Sequence, residues 1–217
     1  MLITPLSSLN NSNINFTKNL LKTVSVRKAN GKTTELNFTE YDFKNKSDLK
    51  QIKNLEKQWG QSAKYLGAIT GSFEDLHTDY LNNIPNDYEN HHFYALENKA
   101  GVIFSIAETS NNEYSYDDDT KNLTIEYIQT KPSEMHSSSK KKYKGLGEVL
   151  VSGIVEEAKK QEYSNIKLTS TNEGFWKKNG FFKRNNATIN ERTLEGADYA
   201  SYIDYVKNKT IQLDVIA

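Results

Sequence analysis

Lys142-Tyr143-Lys144-Gly145-Leu146-Gly147-Glu148-Val149-Leu150 is the stretch that decides the fold. Its two glycines stand directly before apolar residues at helical spacing, Val149, Leu150, Ile154, Val155 and Ala158. That spacing predicts an amphipathic helix over 147–160 with this stripe turned inward. Glycine lets the chain turn tightly, and a helix start leaves several N–H groups without an intrahelical acceptor. Those donors and the helix dipole favour an anion, phosphate above all. The stretch lacks the Gly-Lys-Ser/Thr of a nucleotide P-loop. It also lacks the third glycine and downstream acid of a dinucleotide fold.

Outward on both sides the text is β. Residues 123–130, Leu-Thr-Ile-Glu-Tyr-Ile-Gln-Thr, read as a strand ended by Pro132, which cannot donate to a ladder. A Ser/Lys loop over 137–142 links it to the glycines. Residues 165–170 read as the next strand and 174–179 as a short helix. Strand, glycine loop, helix and strand in that order predict a crossover unit at the centre of a mixed α/β sheet.

Farther out, 92–97 and 102–108 are strands joined by a turn at 98–101. At the N-terminal end Val24 and Val26 alternate with polar residues, Asn30-Gly31 marks a hairpin turn, and 33–38 alternates again. Ser47-Asp48 is the expected cap of a helix to Trp59, with Leu49, Ile52, Leu55 and Trp59 on its inner stripe. Ser72 is the expected cap of a second helix to Leu81. The tail holds β candidates over 181–189 and 211–216, with helical or extended text over 199–206. Residues 1–20, rich in Ser and Asn and without periodicity, read as a flexible arm. Residues 21–217 read as one domain, with no linker to divide them.

Composition excludes several classes. Of 217 residues, 28 are Lys or Arg and 28 Asp or Glu, so the net charge is zero and the basic excess of a nucleic-acid binder is missing. With no cysteine there is no disulfide, zinc–thiolate site or thiol nucleophile. No run reaches the ~20 apolar residues of a membrane span, and no secretory signal is legible. A cytoplasmic protein is the expectation. His91 and His92 are adjacent and point to opposite faces of a strand, so they are not read as a metal pair, and no metal site is expected. His136 and Asp117–Asp119 read as solvated loop residues.

Three pieces together resemble the GNAT family of acetyltransferases over about 92–185. Lys142-Tyr143-Lys144-Gly145-Leu146-Gly147 is similar to the family's Gln/Arg-x-x-Gly-x-Gly/Ala. Ile128-Gln129-Thr130-Lys131-Pro132 is similar to its apolar-x-apolar-x-Pro strand end. Phe175-Trp176-Lys177-Lys178-Asn179-Gly180-Phe181 is similar to its Phe-Tyr-x-x-x-Gly-Phe element, with Asn172 where the family often keeps an asparagine. The resemblance implies a GNAT-like α/β (α+β) fold, a mixed, mostly antiparallel central sheet flanked by helices. It implies acetyl-CoA as cosubstrate. Ile128, Gln129 and Thr130 would lie beside the pantetheine arm, and the N–H groups from Lys142 through Tyr143, Lys144, Gly145 and Leu146 to Gly147 would hold the pyrophosphate. Asn172, Trp176 and Lys178 would line the far side of the coenzyme or its thiol.

The sequence departs from the family in three places. Lys142 stands for Gln or Arg and supplies a cation without a planar fork. The loop from Pro132 to Lys142 is longer than the family's. Trp176 takes the place of an aromatic often assigned as general acid, and an indole has no proton to give a thiolate. The implied reaction is direct attack of an amine on the acetyl thioester, with a carboxylate removing a proton. Glu126, Glu108 and Glu173, in that order, are the candidate bases. The acceptor is an amine-bearing small molecule or peptide, with neither nucleic acid nor membrane as partner, and the protein a monomer or homodimer. A catalytically weak coenzyme-binding sensor and a secreted effector are the other readings.

Overall fold

The computed structural model describes residues 18–84, 90–111, 122–135, 138–139, 141–163, 165–170, 173–183 and 201–206. Alternation near the N-terminal end builds the expected hairpin. Strands β1 (Asn19–Lys28) and β2 (Thr33–Tyr41) pair antiparallel with Arg27 opposite Thr33. Gly31 makes the turn at φ 84°, in the left-handed region that glycine enters freely.

Helix α1 (Lys46–Trp59) is capped by Asn45, whose side chain accepts the N–H groups of Ser47 and Asp48. The expected cap, Ser47-Asp48, instead lies inside the first turn, with the Asp48 carboxylate turned to the N–H of Asp42, 3.0 Å away. Helix α2 (Leu66–Leu81) begins before the expected cap Ser72. Leu66, Ile69, Phe73 and Leu76 form one buried stripe, and their packing outweighs the low helix propensity of Gly67 and Gly71. Ser72 is therefore a mid-helix residue.

Next come β3 (His91–Glu97), β4 (Ile103–Ser110) and β5 (Asn122–Thr130). The short β6 (Tyr143–Lys144) leads into α3 (Leu146–Lys160), β7 (Asn165–Ser170) and α4 (Glu173–Lys178). The last strands among the described residues are β8 (Phe182–Lys183) and β9 (Ser201–Val206). All nine form one sheet in the order β6-β1-β2-β3-β4-β5-β7-β9-β8. Only β5 and β7, joined by the α3 crossover, are parallel, so the sheet is mixed and mostly antiparallel as expected. Within the text over 199–206, open between helix and strand, Ser201–Val206 is the strand β9 between β7 and β8. The β candidate over 211–216, and that over 181–189 beyond Lys183, lie outside the described residues, as do residues 1–17 of the arm.

Helices cover both faces. Ile52, Leu55 and Trp59 of α1 and the α2 stripe pack with Tyr41, Phe93, Ala95 and Ile106. On the other face Leu150, Ile154 and Val155 of α3, with Trp176 and Phe181, pack with Phe38, Leu96, Leu123 and Ile125. Among the described residues no helix is long and apolar enough to cross a membrane.

Candidate active site

β5 and β7 pair from Asn122 opposite Asn165 to Ile125 opposite Leu168, and there the register ends. Tyr127, Ile128, Gln129 and Thr130 run on without a strand partner on that side among the described residues, which leaves a gap in the middle of the sheet. A bulge marks where the strands part. Glu108 lies opposite Tyr127 while Thr109 lies opposite Ile125, so Glu126 is the inserted residue.

Hydrogen bonding beyond the bulge fixes which groups face the gap. The N–H of Lys131 donates to the carbonyl of Phe104 at 2.9 Å, in register with Ser105 opposite Thr130. Antiparallel ladders alternate between bonded and non-bonded pairs. The main-chain groups of Ile128 and Thr130 are thereby turned away from β4, toward the gap. Gln129 faces the α2 side, where its Oε1 accepts the N–H of Tyr65 at 3.0 Å. Its Nε2 donates to the Thr130 carbonyl at 2.7 Å.

The glycines stand at the same end of β5. Gly145 caps α3 at φ 71°, and the first α3 bond runs from the N–H of Val149 to the Gly145 carbonyl. The N–H groups of Leu146, Gly147 and Glu148 are therefore beyond the reach of the helix's own carbonyls. A Cβ on Gly147 would come within 3.3 Å of the Phe175 ring and 3.7 Å of Thr130 Oγ1, so this glycine brings α3, α4 and the end of β5 together. Leu146 is buried beneath the loop. The Glu148 carboxylate beside Gly145 is paired with Lys178, 2.6 Å away.

Lys142 and Tyr143 are engaged differently. The carboxylate of Glu134, nearly buried, accepts both their N–H groups at 2.6 and 3.0 Å. Tyr143 packs edge-on against Phe104, and burial and then the Glu134 charge hold its phenol above the ordinary tyrosine range. Lys144 pairs with Arg27 of β1. Glu134 was invisible as a site residue because its carboxylate reaches across the long loop, and sequence spacing does not show such a contact.

Trp176 is 3% exposed and wedged between the rings of Phe175 and Phe181, both at edge-on angles. Asn172 lies outside the described residues. Glu173 begins α4, and its side chain is also outside them.

Two of the three candidate bases stand by the bulge, each with its own hydroxyl partner. Ser110 donates its hydroxyl to Glu126. Glu108 is 2% exposed; its Oε1 accepts the hydroxyl of Ser72 and lies 3.2 Å from His91 Nδ1. Its Oε2 is buried with no hydrogen-bond partner among the described residues. His92 points to the opposite face, where its Nδ1 lies 2.7 Å from Glu40, so the two histidines do part.

No sequence-family model and no curated protein matches this chain. Solved structures do match by shape. One is a putative acetyltransferase of the GNAT family from Desulfovibrio desulfuricans, 12% identical, with 78% of this chain and 96% of that one covered at a TM-score of 0.51. Another is a spermidine N-acetyltransferase chimera from Vibrio cholerae and hSSAT, 16% identical, with 79% and 96% covered at a TM-score of 0.52. At such identities the likeness speaks for architecture, and this chain has the fold of the GNAT acetyltransferases.

Proposed function

We propose that this chain is an acetyl-CoA-dependent N-acetyltransferase that works by direct attack of an amine. The observation that carries the reading is the gap after Ile125, lined by main chain and ending at the glycine-capped start of α3. A pantetheine arm carries amide groups that pair with a strand edge, and a pyrophosphate suits free N–H groups at a helix start. Those of Leu146, Gly147 and Glu148 are the donors for it, with Lys178 and Lys142 as nearby cations. The residues present thus fit the coenzyme, with the Glu134 carboxylate holding the amides of Lys142 and Tyr143.

Bound acetyl-CoA supplies the activated acetyl group. The chain holds the amine in line with it, which removes much of the entropic part of the barrier. Glu126, half-buried at the bulge and aligned by Ser110, takes the proton from the amine. The acceptor lies on the α2 side, where Glu126 and Tyr127 flank the gap. In this reading the protein acts in the cytoplasm.

A second reading, a coenzyme-binding sensor or effector module, has one observation in its favour. Trp176 is a core residue without an ionisable proton at the position where the family resemblance expects an acid. Titration with CoA and free-thiol release from acetyl-CoA with an amine panel separate the two. CoA binding with thiol release supports the transferase, and CoA binding without release under any amine supports the sensor. If changing both Gly145 and Gly147 to bulky residues leaves CoA binding intact, the phosphate loop is wrong.

A further inference from the structure

We propose that Gln129 is a positioning residue that couples the two sides of the gap, so that coenzyme seated on the β5 edge firms the start of α2 through this one side chain. The coupling rests on the coenzyme reading of the gap.

Successive side chains of a strand point to opposite faces, and the last two of β5 reach opposite helices. Gln129 turns to the α2 face. Thr130 turns to the α3 face, where its Oγ1 would lie 3.7 Å from a Cβ on Gly147 and lies 3.1 Å from Ser105 Oγ. The phosphate loop and the start of α2 thus lean on neighbouring residues of one strand end.

Gln129 is 5% exposed, and both ends of its amide are engaged. Oε1 accepts the Tyr65 N–H at 3.0 Å and Nε2 donates to the Thr130 carbonyl at 2.7 Å. Those partners fix the orientation of the amide, because an N–H needs an oxygen and a carbonyl needs a donor. Tyr65 is the N-cap of α2, and its own side chain makes no capping hydrogen bond. A helix start leaves donors without intrahelical acceptors. Here a glutamine from the sheet supplies one of the missing acceptors.

The other end of the amide stands at the gap. The Thr130 carbonyl faces it, and a carbonyl has two lone pairs. Nε2 takes one, which leaves the second for a donor lying along the gap, such as an amide of a pantetheine arm. A strand end without a partner is held loosely, and a molecule that pairs with it as an added strand holds it in place. Because the side-chain amide is planar and rigid, fixing Nε2 also fixes Oε1, and with it the Tyr65 N–H. The Tyr65 ring stands 6.3 Å from that of Tyr127, and the two are 39% and 38% exposed. Arrival of the coenzyme therefore sets an aromatic wall of the acceptor side. By reciprocity, an amine bound against those rings tightens the hold on the coenzyme.

Amide hydrogen exchange at Tyr65, followed by NMR on the full chain with and without saturating CoA, tests this without relying on turnover. Exchange in the native chain is expected to slow by at least about fivefold when CoA is added. In Gln129→Met the Tyr65 amide should exchange fast with or without CoA, while calorimetry still shows CoA binding to the strand edge. Where that variant does not fold, Gln129→Asn, an amide one methylene shorter that cannot span both partners, takes its place. CoA binding with unchanged Tyr65 exchange in the native chain overturns the coupling and leaves Gln129 a local cap. CoA-dependent protection that survives in a folded variant overturns the assignment to Gln129. Failure of the native chain to bind CoA sinks the coenzyme reading, and the coupling with it.

Discussion

Gly153 of α3 rests against the ring of Phe38 on β2, so closely that a Cβ on the glycine would stand 2.7 Å from the ring. No side chain fits there unless helix or ring moves. Gly153→Ala is expected to destabilise the protein by about 1–3 kcal/mol through overpacking. Phe38→Leu in the same chain should restore part of the loss, as contacting sites couple. Urea midpoints of the two single variants and the double variant check this. Strict additivity would show that the contact is not the cause.

Gly145 holds φ 71° at the start of α3. Asparagine enters this region more easily than β-branched residues do. Gly145→Val is therefore expected to weaken CoA binding far more than Gly145→Asn. Equal losses in the two variants would point to bulk at the loop rather than to backbone conformation.

Glu134 places a negative charge beside the phosphate loop while accepting two of its N–H groups. Glu134→Ala is expected to cost about 1–3 kcal/mol of stability, because both donors lose their acceptor. The same change frees those donors and removes a charge that repels phosphate, so CoA should bind at least as tightly as before. Thermal unfolding and a CoA titration on one preparation read both signs.

Tyr41 and Tyr94 have phenols raised well above the ordinary range, mainly by burial and secondarily by the charges of Glu97 and Glu40 respectively. In the unfolded chain both ionise near pH ~10. Above that pH the folded state binds more protons than the unfolded one, so this contribution to stability is full below about 10 and falls as pH rises. The slope should approach about 1.4 kcal/mol per pH unit for each group. Unfolding midpoints across the alkaline range should decline less steeply in Tyr41→Phe and in Tyr94→Phe.

Glu126→Gln keeps a hydrogen-bonding side chain at the bulge but cannot take a proton. Its kcat for acetyl transfer should fall by about a hundredfold or more. A change confined to KM would move Glu126 from proton acceptor to substrate binder.

The crossover unit was legible in the sequence because several local signals agreed. Glycines, a helical stripe and two β runs each named the same element, and α3 and β7 lie where they pointed. The start of α2 was not legible. Gly67 and Gly71 lower helix propensity there, and the compensation is burial of Leu66 and Ile69, which only the assembled sheet provides. Strand β9 was equally hidden, since its place depends on pairing with β7. In the candidate site, Glu108 and Glu126 were visible as strand carboxylates. Their partners Ser72 and Ser110, and the bulge that inserts Glu126, depend on contacts distant in sequence. The Glu134 carboxylate is the clearest case, a residue of an unpatterned loop that closes on the amides of Lys142 and Tyr143.

The gap after Ile125 also bears on how this protein relates to others. What it offers along Ile128 and Thr130 is peptide N–H and C=O, which nearly every amino acid carries alike. Proline alone would delete a donor there. Mutations can therefore pass through this segment without altering the polar groups it presents, as long as the strand keeps its course. The architecture here is carried by where two strands separate rather than by the letters between them, and this chain matches solved structures by shape where no family model and no curated protein matches it by sequence.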